Sequence, residues 1–214
     1  MASNFKNYNH LVLIFILAFT ASTCFSQSER EKWKLQLAVG INNPIDPNDG
    51  DQFYSSYINF PTVNFGVQHM FSSSLGAKLD VGFNRASNAE ESAPFKLNYY
   101  RINAQLVYDA YHLLNFLPSQ VNLVGHLGPG VSFADPLSPY KENQYTFANV
   151  LGGIELHYGI SETFSIYGDI SYVFSLSNAT KYDSAVDGYS FNGDLLYATI
   201  GVSIALSGCR TCYL

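Results

Sequence analysis

The chain has 214 residues, and only 13% of them are charged, against the roughly 25% usual in soluble globular domains. Its formal net charge is -6, with no basic patch or stripe, which argues against a nucleic-acid partner. Aromatic residues reach 15%, with 16 Tyr and 16 Phe beside a single Trp, so apolar rings rather than charges must cover much of the surface.

The chain begins "MASNFKNYNHLVLIFILAFTASTCFSQ": a short region with Lys6, an apolar run from Leu11 to Phe19, then small residues before a polar stretch. That layout predicts a secretory signal over 1–26, cleaved near Ser26 and Gln27. The lesser readings are a membrane anchor, for which the run is shorter than the roughly 18 apolar residues a spanning helix needs, and lipid attachment at Cys24, which "AST" precedes as a poor lipoprotein signal. Nothing later is a continuous apolar run of spanning length, so a mature chain in a membrane would have to be a barrel.

From Glu31 the chain alternates. "EKWKLQLAVGIN" puts Trp33, Leu35, Leu37, Val39 and Ile41 opposite Lys34, Gln36, Ala38, Gly40 and Asn42, a strand with two unlike faces. The pattern returns in "TVNFGVQHMF", "LGAKLDVGFN", "YRINAQLVYDA", "VNLVGHLGPGVSF", "ANVLGGIELHY", "FSIYGDISYVFS" and "LYATIGVSIALS", giving eight strands within a barrel domain over 27–208. Pro129 is the one blemish. Proline cannot donate to a ladder with neighbours on both sides, which predicts a bulge or local break there.

The connections read as long and polar after the first, third, fifth and seventh strands and as shorter after the others, the parity of an outer-membrane barrel with brief periplasmic turns and long extracellular loops. The polar faces carry scattered charges among Gly, Ala and Ser. Such faces are too small and sparse for a water-facing surface and suit the narrow lumen of an eight-stranded barrel, so the apolar faces point outward to lipid. Aromatics gather toward the strand ends as an interface girdle would: Trp33, Phe71, Tyr158 and Phe164 at one rim, Phe83, Tyr100, Phe133 and Phe174 at the other. A soluble, lipocalin-like barrel would reverse the faces.

On these segments, and on phrases such as "GHLGPGVSF" and "SIYGDISYVFSLS", the chain resembles the small outer-membrane β-barrel proteins typified by the membrane domain of OmpA. The resemblance covers about Lys32 to Ser207. It implies an all-β fold, an eight-stranded antiparallel up-and-down transmembrane barrel, in the outer membrane of a Gram-negative bacterium with both termini periplasmic. Relatives of this kind often continue into a peptidoglycan-binding domain. Here only a tail over 209–214 follows, so cell-wall tethering does not carry over.

By parity Lys78, Asp80, Arg101, Asp109, Glu155 and Asp169 face the lumen, where unpaired charges are costly, so ion pairs and hydrogen-bonded networks are expected to fill the interior. A selectivity ring for an ion path is the alternative. The five His residues suggest catalysis, since some small barrels are lipid-modifying enzymes, but none has a nucleophile and an orienting carboxylate at recognisable spacing. No metal-ligand spacing appears and no cofactor is implied. "GHLGPG" lacks the Lys and following helix of a phosphate loop, and its glycines are expected to relieve crowding inside the barrel. "CRTC", Cys209 to Cys212, lacks the setting of a redox pair and reads as a local disulfide or as without a role. Loops such as "DQFYSSYINF" and "KYDSAVDGYSF" offer aromatic and polar groups to an extracellular ligand, against the plainer reading of solvated loops. The sequence thus predicts a non-enzymatic, monomeric barrel in contact with outer-membrane lipid, with a structural or surface-interaction role; a small pore and a lipid-modifying enzyme remain the alternatives.

Overall fold

A computed structural model describes residues 33–45, 52–114, 116–161, 163–177 and 189–206. The expected signal at 1–26 and the cysteines of the 209–214 tail lie outside them. Eight strands follow in chain order: β1 (Trp33–Ile45), β2 (Asn59–Met70), β3 (Leu75–Ser87), β4 (Lys96–Asp109), β5 (Val121–Pro136), β6 (Tyr145–Gly159), β7 (Phe164–Ser175) and β8 (Asp194–Ala205). Each pairs antiparallel with its neighbour in sequence, and β8 returns to β1, so the sheet is a closed up-and-down barrel with no free edge.

The alternation of residue types becomes an alternation of burial. Leu37, Val39, Phe65, Leu79, Val81, Ile102, Leu127, Ile154, Ile170 and Ile200 stand exposed on the outside, while Gln36, Asn64, Lys78, Asp80, Arg101, Asn103, Glu155 and Asp169 are buried inside. A water-soluble barrel would put these sets the other way round, because burying the charges and exposing the aliphatics runs against both transfer free energies. Of the expected girdle residues, Trp33, Phe71 and Tyr158 are exposed at the end carrying the start of β1 and the end of β8, the terminal end. Tyr100, Phe133 and Phe174 are exposed toward the opposite, loop end. Phe83 and Phe164 are only half-buried. Phe83, Tyr100 and Phe133 are cross-strand neighbours in one row, with the rings of Phe83 and Tyr100 5.2 Å apart.

The structure refines the sequence reading in three places. First, the local break expected at Pro129 is present on one side of the strand, without a bulge: β5 keeps one register with β6 throughout, while its pairing with β4 lapses between Asn103↔Gly130 and Leu106↔Leu127 and resumes unshifted. The register shift falls elsewhere, where Phe60 and Pro61 of β2 stand opposite the single Ile41 of β1. Second, seven of the strands run further at the loop end than the alternation suggests, to Ile45, Ser87 and Pro136, and from Asn59, Lys96, Tyr145 and Asp194. Third, the connection parity is imperfect. The β4–β5 connection at the terminal end spans 110–120, longer than the loop-end connections 88–95 and 137–144.

A glycine at the wall answers a close approach. A Cβ on Gly128 would land 2.5 Å from the Cα of Gln105 on β4, and one on Gly201 would land 2.6 Å from the Cβ of Ala38 on β1.

The interior changes character along the barrel. Toward the loop end Leu97, Tyr99, Ala134, Phe147, Leu151, Val173, Leu195 and Tyr197, all lumen-facing, form one apolar cluster. Every loop-end connection adds an aromatic ring to it: Phe53 from 46–58, Phe95 from 88–95, Tyr140 from 137–144, and Tyr189 and Phe191 from 176–193. Phe53 touches all three of the other loops, with ring centroids 6.3 Å from Phe95, 5.4 Å from Tyr140 and 5.5 Å from Tyr189. Phe95 and Tyr189 stack at 3.8 Å. The described parts of these loops are therefore tied down by packing, not merely solvated.

Candidate functional site: the barrel interior

Below the aromatic cluster the lumen is polar and its charges are paired. Glu155 of β6 is the centre. Its Oε1 accepts from Lys78 Nζ across the barrel, and its Oε2 takes Gln36 Nε2 at 2.9 Å and His157 Nε2 at 2.7 Å. His157 lies two residues further along the same strand, hence on the same face, and its ring stacks on Tyr167 at 4.9 Å. His126 of β5 links this group to the next, with Nε2 3.9 Å from Glu155 Oε1 and 3.3 Å from Asp169 Oδ1 and Nδ1 2.7 Å from Gln105 Oε1. Ser171 donates to Asp169 Oδ1 at 2.7 Å.

One layer nearer the loop end, Arg101 Nη1 donates to Asp80 Oδ2 at 2.8 Å and Nη2 to Asn64 Oδ1 at 2.7 Å, while the guanidinium carbon sits 4.5 Å from the centre of the Tyr197 ring. Arg101 and Asp80 are not opposite one another. The register pairs Asp80 with Asn103 and Arg101 with Gly82, and the arginine reaches its partner diagonally over the glycine. Beside this, Asn103 donates to Asn149 at 2.6 Å, Asn149 to Ser132 at 2.7 Å, and Ser132 meets the Tyr99 hydroxyl at the base of the aromatic cluster.

Five of the six charged residues placed in the lumen by parity are therefore buried there in two groups, Lys78, Glu155 and Asp169 in one and Asp80 with Arg101 in the other. Asp109 is not. As the last residue of β4 it lies half-buried at the terminal rim, where its carboxylate takes Asn122 Nδ2 at 2.7 Å and the backbone N–H of Tyr111 at 3.0 Å. Parity assigns a face but not a depth, and at a strand end a lumen-facing carboxylate finds the turn before it finds the core. The neutral partners of these charges, Gln36, Asn64, Gln105, His126 and His157, share the polar faces, but face alone does not mark them as partners. The signal available was the i, i+2 spacing of Glu155 with His157 and of Asp169 with Ser171.

Two Ser/His/carboxylate groupings occur, and neither has the geometry of a nucleophilic relay, which needs the acid on one ring nitrogen and a close serine on the other. At His126, Ser171 Oγ at 3.4 Å and Asp169 at 3.3 Å share Nε2, and the serine proton points to the aspartate. At His157 the two nitrogens are divided correctly, but Ser165 Oγ is 3.4 Å from Nδ1, beyond the about 2.6–3.2 Å reach of an activated nucleophile, and Glu155 is engaged by Lys78 and Gln36 as well. Among the described residues no group of His, Cys, Asp and Glu is arranged to hold a metal ion.

No protein-family model matches the chain, and no curated protein matches it in sequence. Solved structures do match in shape. Neisserial surface protein A is similar over 81% of this chain and 97% of its own, at 12% identity and a TM-score of 0.53. A major outer membrane protein from Thermus thermophilus covers 81% and 98%, at 10% identity and 0.52. The outer membrane protein OprG from Pseudomonas aeruginosa covers 81% and 95%, at 11% identity and 0.51. The fold is that of the small outer-membrane β-barrels. At these identities the likeness is one of architecture, and what the interior of this barrel does has to be argued from its own residues.

Proposed function

We propose that the chain is a non-enzymatic outer-membrane barrel, closed to ion flow, that presents its loop-end connections to the outside and keeps both termini on the periplasmic side. The observation that carries this reading is the double filling of the lumen: paired charges around Glu155 and Arg101 in one half, and in the other an apolar cluster to which all four loop-end connections contribute a ring. An ion crossing this path would have to separate buried ion pairs and then pass an apolar layer, both costly in a low-dielectric interior. The loops, held to one another through Phe53, then form a fixed outer surface suited to contact with other molecules.

The test is conductance of the purified, refolded protein in planar lipid bilayers, alongside recovery of the protein in the outer-membrane fraction of cells. Silent bilayers support the closed barrel; stable single-channel openings replace it with a small pore. The pore is the second reading because Arg101 Nε, Asn103 Oδ1, Gln105 Nε2 and Thr199 Oγ1 are buried without a protein hydrogen-bond partner, and a hydrated lumen would satisfy them.

A further inference from the structure

The β4–β5 connection, 110–120, does not resemble the other connections at the terminal end. Those at 71–74 and 160–163 are brief, whereas this one reads "AYHLLNFLPSQ" and contains no Lys, Arg, Asp or Glu. Three of its apolar side chains are exposed, Tyr111 at 43%, Leu113 at 67% and Phe116 at 80%, while Leu114 and Leu117 are half-buried. For a loop in water this is an unfavourable choice of residues.

Part of its backbone is held in local turns. Leu113 N–H bonds to Ala110 O at 2.9 Å, Leu114 N–H to Ala110 O at 3.2 Å, Leu117 N–H to Leu114 O at 2.9 Å and Val121 N–H to Pro118 O at 2.8 Å. Gln120 O accepts from Gly159 N–H at 2.8 Å, and the Asp109 carboxylate caps Tyr111 N–H. Water would hydrogen-bond such groups without help. Turn hydrogen bonds beneath exposed apolar side chains, in a segment that carries no Lys, Arg, Asp or Glu, suit the polar–apolar boundary of a bilayer, where rings and aliphatic side chains enter lipid while part of the backbone still meets water.

The loop is also continuous with the outer belt of the barrel. It leaves β4 after Leu106 and Tyr108, both exposed outward, and rejoins it at β5, on the same rim as Trp33, Phe71 and Tyr158.

We infer that the described residues of this connection, 110–114 and 116–120, form an interfacial foot whose Leu113 and Phe116 seat in the adjoining leaflet of the bilayer rather than projecting into the aqueous periplasm. The occupant of this surface is lipid: the loop offers no charge to steer a protein partner and joins directly onto the lipid-facing wall. The inference rests on the barrel spanning the outer membrane, as proposed above.

The lone Trp33 makes a clean test. Wild-type protein and a Trp33→Phe, Phe116→Trp variant are refolded into phosphatidylcholine vesicles, with and without lipids brominated near the headgroup. Emission from residue 116 is expected to be blue-shifted and to be quenched by the brominated lipid as strongly as Trp33 in the wild type, with little quenching by aqueous iodide. A Trp33→Phe, Leu113→Trp variant gives the same readout should the first fail to fold. Red emission from position 116 or 113 that iodide quenches and brominated lipid does not, while wild-type Trp33 stays lipid-quenched, overturns the foot, leaves the barrel intact and points instead to a soluble partner. Loss of lipid quenching at Trp33 itself removes the spanning barrel and the foot together.

Discussion

Gly82 stands directly across β3–β4 from Arg101, and the space where its side chain would be is occupied by the guanidinium. A Cβ built at Gly82 has the Arg101 head as its nearest neighbours, with Nε at 2.8 Å. The ion pair between Arg101 and Asp80 therefore depends on a residue with no side chain at all.

Gly82→Ala should destabilise the barrel by about 1–3 kcal/mol, the range for overpacking a filled interior. Gly125→Ala is the control, since a Cβ there meets nothing within 4 Å and should be close to neutral. Urea unfolding in bilayers, read by the mobility shift between folded and unfolded barrel, measures both. Equal losses at the two positions would contradict the account of Gly82.

The pair itself is open to a double-mutant cycle. Asp80→Leu strands a buried guanidinium and should cost about 3–5 kcal/mol, whereas adding Arg101→Met should restore a large part of that loss. Restoration will be incomplete, because Arg101 also holds Asn64 and packs on Tyr197. Strictly additive losses would show that the two charges do not act as a unit.

Facing is tested at neighbouring positions of β8. Ile200 is 66% exposed on the outer wall and Thr199 is buried in the lumen. Ile200→Arg should cost about 2–4 kcal/mol in a bilayer, the penalty for a cation near mid-depth on a lipid-facing surface. Thr199→Ser should cost little. A penalty for Ile200→Arg that persists unchanged in a water-soluble form of the protein would point to a core, not to lipid.

Phe53→Ala should release the loops from one another while leaving the strands closed. The expected result is retained barrel mobility on gels, faster cleavage of the loops by added protease, and a stability loss of up to about 3–5 kcal/mol if the cavity does not collapse. Should the same variant conduct ions where the wild type does not, the aromatic cluster is the barrier. Unchanged cleavage would mean the loops are held by something other than Phe53.

The faces of the strands were legible in the sequence because lipid and lumen impose opposite demands on adjacent residues. Trp33, Leu37, Val39 and Ile41 against Gln36, Ala38 and Asn42 leave one arrangement for a barrel of this size. The loop-end strand limits were not legible. Leu97, Tyr99 and Phe147 are apolar yet lumen-facing, so the alternation fails where the interior itself turns apolar. Phe53 and Tyr189 read as ordinary loop aromatics because their partners come from distant loops, and no local pattern announces that. Asp109 keeps the face that parity gives it but lies at the rim, since period two reports a side and says nothing about height. The association of His126 and His157 with Glu155 and Asp169 required the cross-barrel geometry, and only the Glu155 and His157 spacing hinted at it.

The seam between β1 and β8 runs without a slip from Lys34↔Ala205 to Ile45↔Asp194. Every other pairing in the barrel joins strands that follow one another in the chain, and this one joins the first to the last. Without β8, any sheet formed by the other strands would be open, with an unpaired row of backbone groups on β1 and another on β7. Closure is thus the most non-local step in folding, and the slowest contact to find by diffusion alone. The unbroken β1–β8 register is therefore the place where a loss of β8 residues should cost the barrel its closure as well as a strand.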